Sequence, residues 1–200
     1  MTRTNILLLD IYLCIFLSPS HVISMTSEQF SGQIYDPGFI KPVDSNTHLR
    51  SGDAAPDFVL PSVSGKKVSL SQFYSKKNVV LSFVPAAWTP VCSDQWPGYN
   101  ILKDIFDQND TILIGITTDN IPTLFAWTAE MGELWFPVLS DFWPHGATAE
   151  KYGILRSDGT AERALFVIDK KGEIRYIDVH DINTRPNLES LMNALEKIED

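Results

Sequence analysis

The chain has 200 residues, 44% of them hydrophobic, and a formal net charge of −9. That length and content suit one domain with a single core and a tail. The acidic balance, with no local Lys/Arg cluster to reverse it, argues against nucleic acid or an anionic membrane surface as partner.

Residues 1–24 do not read as part of a fold. Arg3 gives a short basic start, and Ile6 to Leu17 is an apolar run interrupted by Asp10. Ser18, Ser20 and Ser24 then supply small residues. This is the order of a secretory signal peptide, and the run is short for a membrane span. Residues 1–24 are therefore expected to be a signal peptide. The mature protein would then be exported, periplasmic or otherwise extracytoplasmic, with no membrane segment. The competing account is a cytoplasmic protein translated from Met25. In both accounts Cys14 is absent from the working protein or far from its chemistry. Residues 25–48 are polar, with Gly, Pro, Asn and Asp punctuation, and read as an extension that wraps the domain or stays mobile. The domain is expected over residues 49–200.

Ala55–Leu60 and Lys66–Leu70, joined at Ser64-Gly65, predict a hairpin, and Ser71–Tyr74 a brief turn or helix. Val79–Val84 is apolar except at Ser82, as a central strand covered on both faces should be. Beyond Cys92, apolar side chains at Trp96, Tyr99, Leu102, Ile105 and Phe106 mark one helix face. Thr111–Thr117 is a second central strand, and the helix between the two strands implies parallel pairing. Asp119-Asn120-Ile121-Pro122 opens another helix, roughly Thr123–Met131. A short strand and turn follow at Pro137–Asp141, then a helix over Ala147–Tyr152 that stops at Gly153. Arg163–Asp169 and Ile174–Asp178 read as strands around the turn Lys170-Lys171-Gly172-Glu173. Asn187–Ile198 is a closing amphipathic helix. The order predicts an α/β fold: a mixed central sheet with helices on both faces and an N-terminal β-hairpin.

The chemistry centres on Pro85-Ala86-Ala87-Trp88-Thr89-Pro90-Val91-Cys92. The predicted strand ends here and the helix opens at or near Cys92. Free backbone N–H groups and the positive end of the helix dipole gather at such a terminus. A thiol there loses its proton more easily, and the thiolate is the nucleophile. Thr89, three residues earlier, has a hydroxyl that could face the sulfur. The residues alone leave a second reading open, a buried and inert cysteine, which is the commoner fate of a free thiol. Neither cysteine has a C-x-x-C partner, and the four histidines are scattered without zinc spacing. No metal is expected.

P-x-x-x-T-x-x-C after a buried strand resembles the active-site motif of the peroxiredoxins, matched here by Pro85, Thr89 and Cys92. The resemblance runs from about Gly52 to the C-terminus. It includes Gly52–Phe58, Phe136–Asp141, Tyr152-Gly153, Arg163 and Phe166–Asp169. Asp141-Phe142-Trp143-Pro144-His145-Gly146 looks most like the one-cysteine alkyl hydroperoxide reductase E type. The resemblance implies a thioredoxin-like fold of the peroxiredoxin and glutathione-peroxidase kind. It also implies a thiol-dependent peroxidase that reduces hydrogen peroxide and organic hydroperoxides through a sulfenic acid.

In that family Arg163, which read alone is an ordinary surface arginine, reaches the cysteine sulfur and the peroxide. Thr89 would hydrogen-bond the peroxide and Pro85 would screen the sulfur from water. Gln95 stands where the family often has Glu; it can hydrogen-bond Arg163 but cannot pair with it as an ion. Pro97 occupies a position where some relatives carry a resolving cysteine, so reduction falls to an external thiol: a thioredoxin, a glutaredoxin-like protein or a small thiol. No organic cofactor is implied, and a homodimer is expected. Two other classes stay open: a thioredoxin-like thiol-disulfide oxidoreductase, against which the missing C-x-x-C counts, and a catalytically silent binding domain.

Overall fold

The computed structural model describes residues 32–198. The segment read as a signal peptide, with Cys14, and the alternative start at Met25 lie outside the described residues. The first half carries β1 (Val59–Pro61), β2 (Lys67–Ser69), β3 (Asn78–Phe83), α1 (Pro90–Asn100), α2 (Lys103–Gln108) and β4 (Thr111–Thr117). The second carries α3 (Ile121–Glu130), β5 (Val138–Ser140), α4 (Ala147–Lys151), β6 (Arg163–Ile168), β7 (Ile174–His180) and α5 (Leu188–Glu196).

β1 and β2 pair antiparallel with Leu60 opposite Val68, as the expected hairpin. The other strands form one mixed sheet in the order β5-β4-β3-β6-β7. β3 and β4 are parallel, as are β4 and β5. β6 runs antiparallel to β3, and β7 to β6.

Successive side chains of a strand point to opposite faces, and here that alternation builds two cores. Val79, Leu81 and Phe83 of β3 join Ala164, Phe166 and Ile168 of β6 in one. Val80 joins Leu165 and Val167 in the other. Each such Val, Leu, Ile or Phe side chain, fully buried, stabilises the fold by roughly 1.5–3 kcal/mol. The first core is closed by the hairpin and by Ala149 of α4. The second is closed by Trp96, Phe106, Trp127 and Leu191, from α1, α2, α3 and α5. Helices therefore cover both faces of the sheet.

Three details refine the sequence reading. The helix after Cys92 is two helices, interrupted at Ile101-Leu102. Pro97 inside α1 removes a backbone donor and Gly98 is a poor helix former, so the first helix does not propagate. Secondly, α3 opens at Ile121 because the Asn120 side chain accepts the Thr123 N–H and caps it there. Thirdly, residues 33–50 form no helix or strand, as their composition predicts, but are tied to the domain by specific hydrogen bonds.

Candidate active site

The loop between β3 and α1 is held from both sides. Pro85 biases Val84 towards the extended conformation in which it continues the strand. The Ala87 N–H donates to the Asp119 carboxylate at 2.7 Å, and Asp119 also accepts the Thr117 hydroxyl at 2.6 Å. Asp119 follows β4, so the neighbouring strand fixes the loop. Trp88 then takes a φ of 61°, a left-handed conformation that a bulky residue rarely adopts. Its carbonyl accepts the Tyr35 N–H at 2.8 Å. Thr89 is the N-cap of α1, and Pro90 opens the helix where its missing N–H costs nothing.

Cys92 therefore lies in the first helical turn, with only 1% of its surface exposed. Helix geometry leaves the first-turn N–H groups without intrahelical acceptors, and Val91 and Cys92 carry two of them. Thr89 does not cap them with its side chain. Its hydroxyl instead donates to the Ala86 carbonyl at 2.9 Å. With its proton committed, Oγ1 presents lone pairs as an acceptor.

Arg163 opens β6, beside the end of β3, and is 1% exposed. It is not a surface ion-pair residue. Its Nη2 stands 3.4 Å from Cys92 Sγ. Nε and Nη2 both donate to the Ile182 carbonyl, at 3.2 and 3.0 Å, and Nη1 donates to Gln95 Oε1 at 2.5 Å. Gln95 is oriented in turn by donating its amide to Ser82 Oγ at 3.2 Å and Tyr99 Oη at 3.3 Å. Burial pushes the Tyr99 phenol far above its ordinary pKa, so it remains a neutral hydroxyl. Among the described residues no carboxylate pairs with Arg163. The guanidinium is thus a desolvated cation held by neutral oxygens, and a thiolate at Cys92 would be its counter-charge.

Pro85, Thr89, Cys92 and Arg163 line one open cleft of about 610 Å³. The structure brings these sequence-identified residues together. Sequence reasoning missed two contributors. The Ile182 carbonyl is backbone, which leaves no trace in residue identity. Residues 35–40 form part of the cleft wall although they belong to the polar extension. Their aromatic side chains, Tyr35 and Phe39, were the available signal. Among the described residues no group of His, Cys, Asp and Glu is placed to hold a metal ion.

The model of the AhpC/TSA family matches residues 51–177. Alkyl hydroperoxide reductase E of Mycobacterium bovis is 36% identical over 132 residues, covering 66% of this chain and 86% of the relative. The chloroplastic 2-cysteine peroxiredoxin of Chattonella marina var. antiqua is 31% identical over 160 residues, covering 76% and 81%. Among solved structures, the peroxidoxin BcpB from Mycobacterium tuberculosis superposes with a TM-score of 0.68 at 27% identity, covering 76% of this chain and 100% of that one. The reduced 2-Cys peroxiredoxin of Plasmodium vivax gives a TM-score of 0.69 at 25% identity, covering 74% and 81%. With a cysteine at a helix N-terminus and an arginine against its sulfur, the chain belongs to the AhpC/TSA family and is a peroxiredoxin, a thiol-dependent peroxidase.

Proposed function

We propose that Cys92 is the peroxide-reducing thiol and that the chain works by a one-cysteine mechanism. The observation that carries this is the 3.4 Å contact of Arg163 Nη2 with Cys92 Sγ at the floor of an open cleft. The Cys92 thiolate attacks the terminal oxygen of a hydroperoxide in line with the O–O bond. An S–O bond forms and the O–O bond breaks. The electron pair leaves on the distal oxygen, which takes a proton and departs as water or an alcohol. Cys92 is left as a sulfenic acid.

Each neighbouring residue serves that step. Arg163 and the N–H groups of Val91 and Cys92 are donors already in place for the charge that builds on oxygen. Thr89 Oγ1 accepts from the peroxide hydroxyl and sets its register. Pro85, buried beside the loop, screens the sulfur from water.

An external thiol then attacks the sulfenic sulfur and releases water, and a second thiol frees Cys92 from the mixed disulfide. A thioredoxin, a glutaredoxin-like protein or a small thiol fits this role. A homodimer is part of the same reading, because Phe142 and Trp143 stand exposed before α4 and a second copy would cover them. Export directed by residues 1–24 is also part of it, and rests on the sequence pattern.

The test is turnover with hydrogen peroxide and dithiothreitol. Peroxide consumption proportional to enzyme is expected. Disulfide reduction without peroxide consumption would favour a disulfide reductase, and neither activity would favour a silent binding domain.

A further inference from the structure

Residues 32–50 lie before the segment that the family model matches, 51–177. They are nevertheless built into the site. The Tyr35 N–H donates to the Trp88 carbonyl at 2.8 Å, on one side of the cleft. On the other side, Asn183 pairs with both backbone groups of Ile40, at 2.9 and 2.8 Å. The Ile182 N–H donates to the Pro42 carbonyl at 3.0 Å. The strap therefore spans from the loop that positions Cys92 to the carbonyl that holds Arg163.

Its anchor is a buried ion pair. Arg156 and Glu162 are 4% and 0% exposed and meet at 2.5 Å. A buried pair is tolerable only when its remaining hydrogen-bonding capacity is met. The strap meets most of it, leaving Arg156 Nε without a hydrogen bond: Glu162 accepts the N–H groups of Asp44 and Ser45 at 2.6 and 2.7 Å, and Arg156 donates to the Lys41 carbonyl at 3.1 Å.

Held this way, the strap presents Tyr35 and Phe39 along the cleft while leaving them 72% and 81% exposed. Neither side chain is buried in either core. Two large apolar surfaces are thus kept in water, at the mouth of a cleft far larger than hydrogen peroxide needs. Burial of that surface by an apolar ligand is favourable, while a small polar peroxide gains nothing from it.

We propose that Tyr35 and Phe39 are specificity-determining residues that make this cleft select organic hydroperoxides with an apolar body over hydrogen peroxide. The proposal rests on the peroxidase reading of Cys92. The reacting oxygen sits at Cys92 and Arg163 in either case; the body of the organic substrate lies against the strap.

The experiment is single-turnover oxidation of Cys92, without reductant, by hydrogen peroxide and by cumene hydroperoxide. It compares the native protein with a Tyr35→Ala/Phe39→Ala variant. The rate with cumene hydroperoxide should fall about tenfold, as expected for losing part of the contact area of two aromatic side chains. The rate with hydrogen peroxide should stay within about twofold, because neither side chain touches the reacting atoms. Phe39→Leu, which keeps an apolar side chain, should retain most of the preference. Equal losses with both peroxides, or no loss with either, would overturn the proposal. So would an effect confined to reduction of the oxidised protein by dithiothreitol, which would assign the aromatic pair to the reductant. Failure of the native protein to react with hydrogen peroxide would instead overturn the peroxidase reading itself.

Discussion

Arg163 and Cys92, 71 residues apart in sequence, meet with Nη2 3.4 Å from Sγ. One opens β6 and the other sits in the first turn of α1, the helix that follows β3, so the pairing of β3 with β6 brings them together. Gln95 is neutral, and among the described residues no carboxylate forms an ion pair with Arg163. In the proposed mechanism its charge faces the sulfur and the oxygen that departs as the O–O bond breaks.

Arg163→Gln keeps a planar hydrogen-bonding head and removes the charge. The second-order rate with hydrogen peroxide should fall on the order of a hundredfold or more, the usual loss for one such donor. The deficit should persist at a pH high enough to ionise Cys92 in both proteins. Recovery of the native rate at that pH would mean that Arg163 acts on ionisation alone.

Gly115→Ala should destabilise the fold by about 1–3 kcal/mol, as overpacking typically does. A Cβ at Gly115 would lie 2.7 Å from Cζ2 of Trp96. Trp96 has little room to yield: its indole donates to Ser82 at 3.1 Å and its ring lies 5.0 Å from that of Trp127. Because Trp96 shares α1 with Cys92, the peroxide rate should fall as well. An unchanged urea midpoint would show that α1 shifts freely on the sheet.

The strap should loosen in acid through Asp44. Hydrogen bonding from Lys41 and Ser157 holds its carboxyl well below the ordinary value of 3.8. A carboxylate with a folded pKa below its unfolded one contributes stability that is present above the unfolded value. That contribution is lost as pH falls from about 4 through the lower folded value. Protection of the amides at residues 40–45, relative to their intrinsic exchange rates, should therefore fall over that interval, and Asp44→Asn should remove that pH dependence. The same acid profile in Asp44→Asn would place the anchor elsewhere.

Oxidation should leave a single-chain product. Equimolar peroxide should convert Cys92 to a dimedone-reactive sulfenic acid, and excess peroxide should carry it on to sulfinic acid. A stable loss of two hydrogens within one chain, read by intact mass, would contradict the one-cysteine mechanism.

The sheet and the loop that carries Cys92 were legible because each has a local signature. The apolar run of β3, the βαβ spacing and the proline-bounded turn before Cys92 all act over a few residues. Arg163 was found only through family resemblance, since nothing local distinguishes a buried arginine at a strand start from an exposed one. The break after Asn100 was missed because the apolar spacing continues through it to Ile105 and Phe106. The strap was read as an extension that wraps the domain or stays mobile, and the choice between the two was not legible because its fixation comes from long-range groups. Glu162, Asn183 and the Ile182 backbone lie more than a hundred residues away in sequence. Gln95 was read as able to hydrogen-bond Arg163, and it does.

The most direct test compares the native protein with Cys92→Ser in peroxide turnover with dithiothreitol, with folding checked by circular dichroism. Serine has similar size and should fit a site that is 1% exposed, but its hydroxyl stays protonated at neutral pH and is a far poorer nucleophile. The account predicts a folded variant with no turnover and no sulfenic acid. A folded variant that still consumes peroxide at the native rate would contradict it.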